Sequence, residues 1–134
     1  MTGTLVEGVP FQAVDIIHEG DAISLQIDFQ VTGNALILAP FAAAGWAFIV
    51  KVYFEKMGPG VDPATITSVL PTALVAAAAN AYSIVVPIGA NFGVGTEGAY
   101  KLTSSVKLVD APAAPTFTAW HAIEEMGVIE VSAT

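Results

Sequence analysis

From Ile23 to Thr32 the chain alternates without a fault: Ile23, Leu25, Ile27, Phe29 and Val31 are apolar, and Ser24, Gln26, Asp28, Gln30 and Thr32 are polar. Successive side chains of an extended ribbon point to opposite faces, so the pattern predicts a half-buried antiparallel strand. The stretch from Trp46 to Met57 repeats it, with Trp46, Phe48, Val50, Val52 and Phe54 on one parity and Lys51, Tyr53 and Glu55 on the other. A helix would spread those residues round its whole circumference. The prediction is a central strand with Trp46 buried in the core. Tyr82, Ile84, Val86 and Ile88 resume the alternation, and Pro87 removes a ladder donor, which predicts an edge or a bulge there.

Tyr100, Leu102, Ser104, Val106 and Leu108 form a further inward set against Lys101, Thr103, Ser105 and Lys107. The last strand starts at Thr116, is broken by a bulge or turn near Glu124 to Gly127, and ends with Ile129 and Val131 inward. Phe11 to Glu19 carries a weaker strand pattern, and residues 1–10 read as an N-terminal arm ended by Pro10. No long amphipathic helix is predicted. About seven short strands with turn signals between them predict an all-β chain, an antiparallel two-sheet sandwich forming one domain over residues 11–134.

Two connections are oilier than loops in water should be. Residues 35–45 read ALILAPFAAAG, and residues 71–80 read PTALVAAAAN. Leu36, Ile37, Leu38 and Phe41 in the first either fold over the open end of the core or form a docking patch, whereas the alanines of the second make a turn or two of helix or a flat strand, with Ala77 and Ala78 as contact candidates.

The placing of Trp46 and Tyr100 resembles the immunoglobulin-like sandwich, a Greek-key fold with a tryptophan on its third strand. Glu97-Gly98-Ala99-Tyr100 is similar to the turn that introduces that fold's tyrosine corner. The resemblance implies that the Tyr100 hydroxyl bonds to backbone upstream. It also implies that Leu102, with Leu25 or Ile27 on the second strand, stands where relatives carry a disulfide, and that aliphatic packing against Trp46 replaces the bridge, as in cysteine-free fibronectin type III domains. Its bearing on function is slight, because many activities sit on this scaffold.

Charge narrows the partners. Twelve acidic residues stand against four lysines, with no arginine and a formal net charge of −8. A phosphate backbone or an anionic membrane surface is recognised by Lys and Arg, so both are disfavoured. With no cysteine, a disulfide framework and a thiolate metal site are excluded, and the compartment is left open. The N-terminus has no basic segment before an apolar run and does not read as a signal peptide. Only 12% of residues are charged, about half the usual share. Residues 29–50 and 63–96 carry no charge, but Gly, Asn and Pro interrupt both runs, and neither is flanked by a basic cluster, so membrane insertion is disfavoured. The remaining explanation is a surface covered by copies of the same chain.

Candidate chemistry is sparse. His18 with Glu19 and Asp21, and His121 with Glu124, would make a mixed N/O metal site only if the first and last strands brought them together. Glu19, Asp21, Asp62, Glu97 and Asp110 fall in predicted loops where calcium would take carboxylate oxygen, though no dedicated calcium-loop spacing is present. Tyr53, Tyr82, Phe92 and Trp120 are candidates for stacking on sugar rings and equally for packing. Nucleophile elbows, phosphate loops and zinc-protease motifs are missing from the sequence. The expectation is a non-enzymatic, cofactor-free structural or interaction domain that forms a homo-oligomer or larger assembly. The alternative is a ligand-binding module for carbohydrate or calcium using loops at one end of the sandwich.

Overall fold

The computed structural model describes residues 2–7, 12–13, 16–18, 23–67, 71–76, 79–88, 92 and 95–132. Their elements, in order, are β1 (Thr2–Glu7), β2 (Gln12–Ala13), β3 (Ile16–His18), β4 (Ile23–Thr32), α1 (Ala35–Ala43), β5 (Ala47–Met57), β6 (Ile66–Thr67), β7 (Thr72–Ala73), β8 (Ala79–Pro87), β9 (Gly98–Val109) and β10 (Thr118–Ser132). The described residues are mainly β, with one short helix among them, consistent with an all-β fold. No helix among the described residues is long and apolar enough to cross a membrane.

The strands form two sheets, ordered β2-β1-β4-β8 and β3-β10-β9-β5-β6, with β7 also paired to β5. The four-stranded sheet is curled into a half-barrel rather than lying flat. The long strands bury the parity their sequence marks, except that Ser105 of β9, read as facing water, is buried as well. On β4 the buried set is Ile23, Leu25, Ile27 and Phe29, and on β5 it is Phe48, Val50, Val52 and Phe54. Tyr82, Ile84 and Val86 from β8, Tyr100, Leu102 and Val106 from β9, and Ile129 and Val131 from β10 join them in a single core. β8 is an edge strand, as Pro87 predicts. β10 carries the expected irregularity: its register on β9 shifts between Glu125 and Val128, where Gly127 has φ +80°.

Three expectations are corrected. Residues 2–7, read as part of an arm, form β1 and pair antiparallel with β4 of the same chain, Thr2 opposite Asp28 and Glu7 opposite Ile23. Residues 35–43, read as a connection, form the helix α1. Asn34 caps it, its Oδ1 accepting from the Leu36 N–H at 2.9 Å. Pro40 inside it lacks the N–H that would bond one turn back, and the flanking turns hold regardless.

The third correction concerns Trp46, which is half-buried and lies one residue before β5. Beyond the end of α1 the Gly45 N–H bonds Ala42 O and the Trp46 N–H bonds Phe41 O, both at 3.1 Å, while Gly45 takes φ +84°. This is the Schellman arrangement, in which the residue past the glycine makes an apolar contact back onto the helix. Trp46 does so, meeting the Phe41 ring edge-on at 5.1 Å. It locks the exit of α1, and Phe48 takes the central position in its place.

Between β2 and β3 the chain passes from one sheet to the other, because β2 pairs with β1 and β3 runs parallel to β10 along Glu130 to Ser132. β3 thus covers the edge of β10 at one end of the seam between the sheets. At the other end, around Thr118 to Trp120, the seam gapes.

Candidate binding site

The gape is a cleft of about 400 Å³. Leu38 and Phe41 of α1 form one wall, and Ala119 and Trp120 of β10 form another. The buried Phe48 and Leu108 make its floor, and the end of β4 contributes Val31 between the polar Gln30 and Thr32. Its size and its mostly apolar lining with a few polar groups are those of small-molecule pockets. Trp120 is 39% exposed. Its ring lies near-parallel to Phe29 at 6.0 Å and edge-on to Phe48 at 6.0 Å. Phe29 in turn stacks on Tyr82 at 5.1 Å, so Trp120 is the outermost ring of a four-ring cluster. The Tyr82 hydroxyl accepts from the Val75 N–H at 3.0 Å and ties the 74–75 segment to the same cluster.

Exposed apolar side chains lie on α1 and along β10, while Met57, Val61 and Val128 are exposed toward the opposite end. Leu36 is 83% and Ile37 64% exposed on α1, while Phe117 and Ile123 are exposed at 69% and 63% on the approach to β10 and on the strand itself. α1 is apolar all round, carrying no acidic residue in its first turn and no basic one in its last. A helix of that kind is ordinarily enclosed on every side. Here only the side of Leu38 and Phe41 is covered.

The residues proposed for metal binding do not gather as expected. β3 and β10 pair, but His18 sits opposite Ser132, its Nδ1 2.8 Å from Ser132 Oγ, eleven residues along β10 from His121. At about 3.3 Å per residue the two histidines stand some 35 Å apart. His121 and Glu124 also leave β10 on opposite faces, since His121 is opposite Lys107 on the outer face and Glu124 opposite the buried Ser104. Glu19 and Asp21 lie outside the described residues, as do Ala77 and Ala78. Among the described residues no three His, Asp or Glu side chains come together as a metal site.

The loop acids have local roles. Asp62 Oδ1 accepts from the Lys56 N–H at 2.9 Å, folding the loop after β5 onto that strand. Asp110 accepts from the N–H groups of Ala111, Thr116 and Phe117 and from the Thr116 hydroxyl, which closes the β9–β10 connection. These bonds, that of the Thr116 hydroxyl above all, hold its carboxyl well below the ordinary carboxylate range. Asp62 and Glu97 belong to the Met57–Ala99 end of the β5–β9 ladder and Asp110 to the Ala47–Val109 end, so they share no site.

Two buried polar atoms face each other across the β9–β10 ladder without partners, Ser104 Oγ and Glu124 Oε2. Of the aromatic candidates, Tyr82 and Phe92 are buried packing residues, Tyr53 stands on the outer face of β5, and Trp120 alone lines a cleft. Tyr100 donates its hydroxyl to Thr96 O at 2.6 Å, a bond to upstream backbone of the kind the resemblance implies. Leu25, Ile27 and Leu102 are fully buried in the core. No family model matches the chain, and no curated protein is similar to it in sequence.

Proposed function

We propose that this chain is an immunoglobulin-like structural or interaction module, without catalytic activity, that associates with copies of itself. The partition of its long strands supports the fold part of this reading. β1, β4 and β8 share one sheet and β5, β9 and β10 the other, which is the A-B-E and C-F-G division of that Greek key. The Tyr100–Thr96 bond supports it further.

The observation that carries self-association is the apolar end of the molecule. Leu36 and Ile37 stand in water on an uncharged helix whose Leu38 and Phe41 line the same cleft as the exposed Trp120. Isolated soluble domains seldom leave such a surface bare, and subunits that assemble permanently bury one like it. Light scattering at tens of micromolar is expected to give a particle of at least two chains, and the pair Leu36→Asp, Ile37→Asp is expected to shrink it. A wild-type protein that stays a monomer under these conditions overturns the reading.

The cleft favours a second reading, a carbohydrate-binding module in which a sugar ring stacks on Trp120 between Gln30 and Thr32. Glycan binding abolished by Trp120→Ala, in a protein that remains monomeric, would decide for it over self-association.

A further inference from the structure

β10 is fifteen residues long, yet β3 covers it only along Glu130 to Ser132. Among the described residues, its edge from Thr118 to Glu125 has no strand beside it. A bare edge is a row of unpaired donors and acceptors, and proteins normally blunt it with lysine, proline or a bulge. This stretch holds neither lysine nor proline, and its one register shift lies at its start, between Thr118 and Trp120, leaving Trp120 to Glu125 regular. Its outer face instead presents Ile123, 63% exposed.

Two features confine what can pair there. The bulge between Glu125 and Val128 ends the regular ladder on one side. Glu124 points inward on the other parity, where it bars an indefinite stack of in-register parallel strands by setting carboxylate beside carboxylate.

We propose that the Thr118–Glu125 edge of β10 pairs antiparallel with the same edge of a second copy, about a two-fold axis passing by Ile123. The side chains on the two faces select this register. With Ile123 opposite its own counterpart, each His121 lies opposite a Glu125 on the same outer face, and each Glu124 lies opposite Ala122. Moving the axis to Glu124 or Glu125 sets like charges against each other. Moving it to Ala122 takes His121 away from Glu125, which keeps only the Lys101 of its own chain at 3.0 Å, and puts Trp120 against Glu124. A two-fold contact of this kind is closed, so it yields a dimer and not a fibre. It also brings two clefts, with their Trp120 side chains, to the same interface. The competing bare edge, β8, carries Pro87 and lacks a ladder donor there.

This inference rests on the self-association reading, and the test separates the two. The native chain has no cysteine, so one introduced thiol reports its own neighbour. Directly opposed Cβ atoms on paired strands are about 4.5–5.5 Å apart, close enough for Ile123→Cys to form a chain-to-chain disulfide under mild oxidation. Val85→Cys on the β8 edge is expected to stay uncrosslinked. His121 is exposed, so its substitution leaves the core alone. His121→Lys, facing Glu125 twice, is expected to tighten the dimer and His121→Glu to loosen it, each by roughly three- to ten-fold for two cross-strand pairs. Circular dichroism on each variant checks that the fold is kept. If the wild type assembles but Ile123→Cys does not crosslink and the two position-121 variants dissociate alike, the β10 pairing is overturned and self-association stands. Crosslinking through Val85→Cys instead moves the contact to β8 and also overturns it. A monomeric wild type removes both.

Discussion

The two ends of the core are built from the same kind of side chain and finished differently. At the Met57–Ala99 end, Phe54, Phe92 and Tyr100 meet edge-on at 5.4 and 5.1 Å, and Phe92 is 1% exposed. At the Ala47–Val109 end, Phe29, Phe48 and Tyr82 lie 4.8–5.1 Å apart, but the last ring, Trp120, stands 6.0 Å from its neighbours and is 39% exposed beside an open cleft. One end is sealed by a residue dropped in from a glycine-rich connection. The other is roofed by a helix that covers it only in part. Aromatic content therefore does not distinguish a packing cluster from a binding surface here; the backbone that closes over the rings does.

The sharpest way to break this comparison is to truncate one ring at each end. Phe92→Ala leaves a void among fully buried neighbours and is expected to cost about 3–5 kcal/mol. Trp120→Ala widens a cleft beside a ring that is already 39% exposed and leaves no sealed cavity, so it is expected to cost about 2 kcal/mol. Urea denaturation of both variants measures the difference. Equal losses would mean that the cleft end is as tightly closed as the other.

Tyr100→Phe isolates the hydrogen bond that pins the sealed end. The ring and its contacts with Phe92 remain, and the bond to Thr96 O is lost. A loss of about 1 kcal/mol is expected, the net worth of one neutral hydrogen bond. Destabilisation with faster amide exchange confined to the turn before β9 supports the pinning role; no change in either would show the bond to be incidental.

What could be read from the chain follows the same division. Strands were legible wherever one face is wet, because burial on one side writes period two into the residues, as in β4 and β5. The irregularity of β10 was visible in Gly127 and the edge position of β8 in Pro87. α1 was not legible, because a helix apolar on every side has no period to find, and Pro40 argued against it. Its ends were marked all the same, by Asn34 before the run and Gly45 after it, and those capping signals were the cue available. Missing α1 carried Trp46 into the core on parity alone. The cleft was beyond the sequence for a similar reason. Its walls come from residues 30–48 and 108–120, and only the strand order brings them together. The separation of His18 from His121 likewise depends on register, which pairs β3 with the far end of β10.

The smallest effect is expected where the open end is tied by charge and not by packing. Asp110 holds the β9–β10 connection through the Thr116 hydroxyl and the N–H groups of Phe117, Thr116 and Ala111. Those donors favour its ionised form, so its folded pKa lies below its unfolded one. A carboxylate shifted in that direction stabilises the fold above the unfolded pKa, and the contribution is lost as pH falls through the folded value. Because the carboxylate sits at the surface, solvent screens it and the gain stays modest. Asp110→Asn keeps the shape and an acceptor oxygen but not the charge. Its melting temperature is expected to lie below that of the wild type at pH 7, and the gap to narrow as the pH drops below the ordinary carboxylate range, about 4. Thermal unfolding at a series of pH values reads this directly. A gap that stays constant down to strongly acid pH would assign the hold on this loop to its shape, leaving the sealed and open ends alike in depending on contact alone.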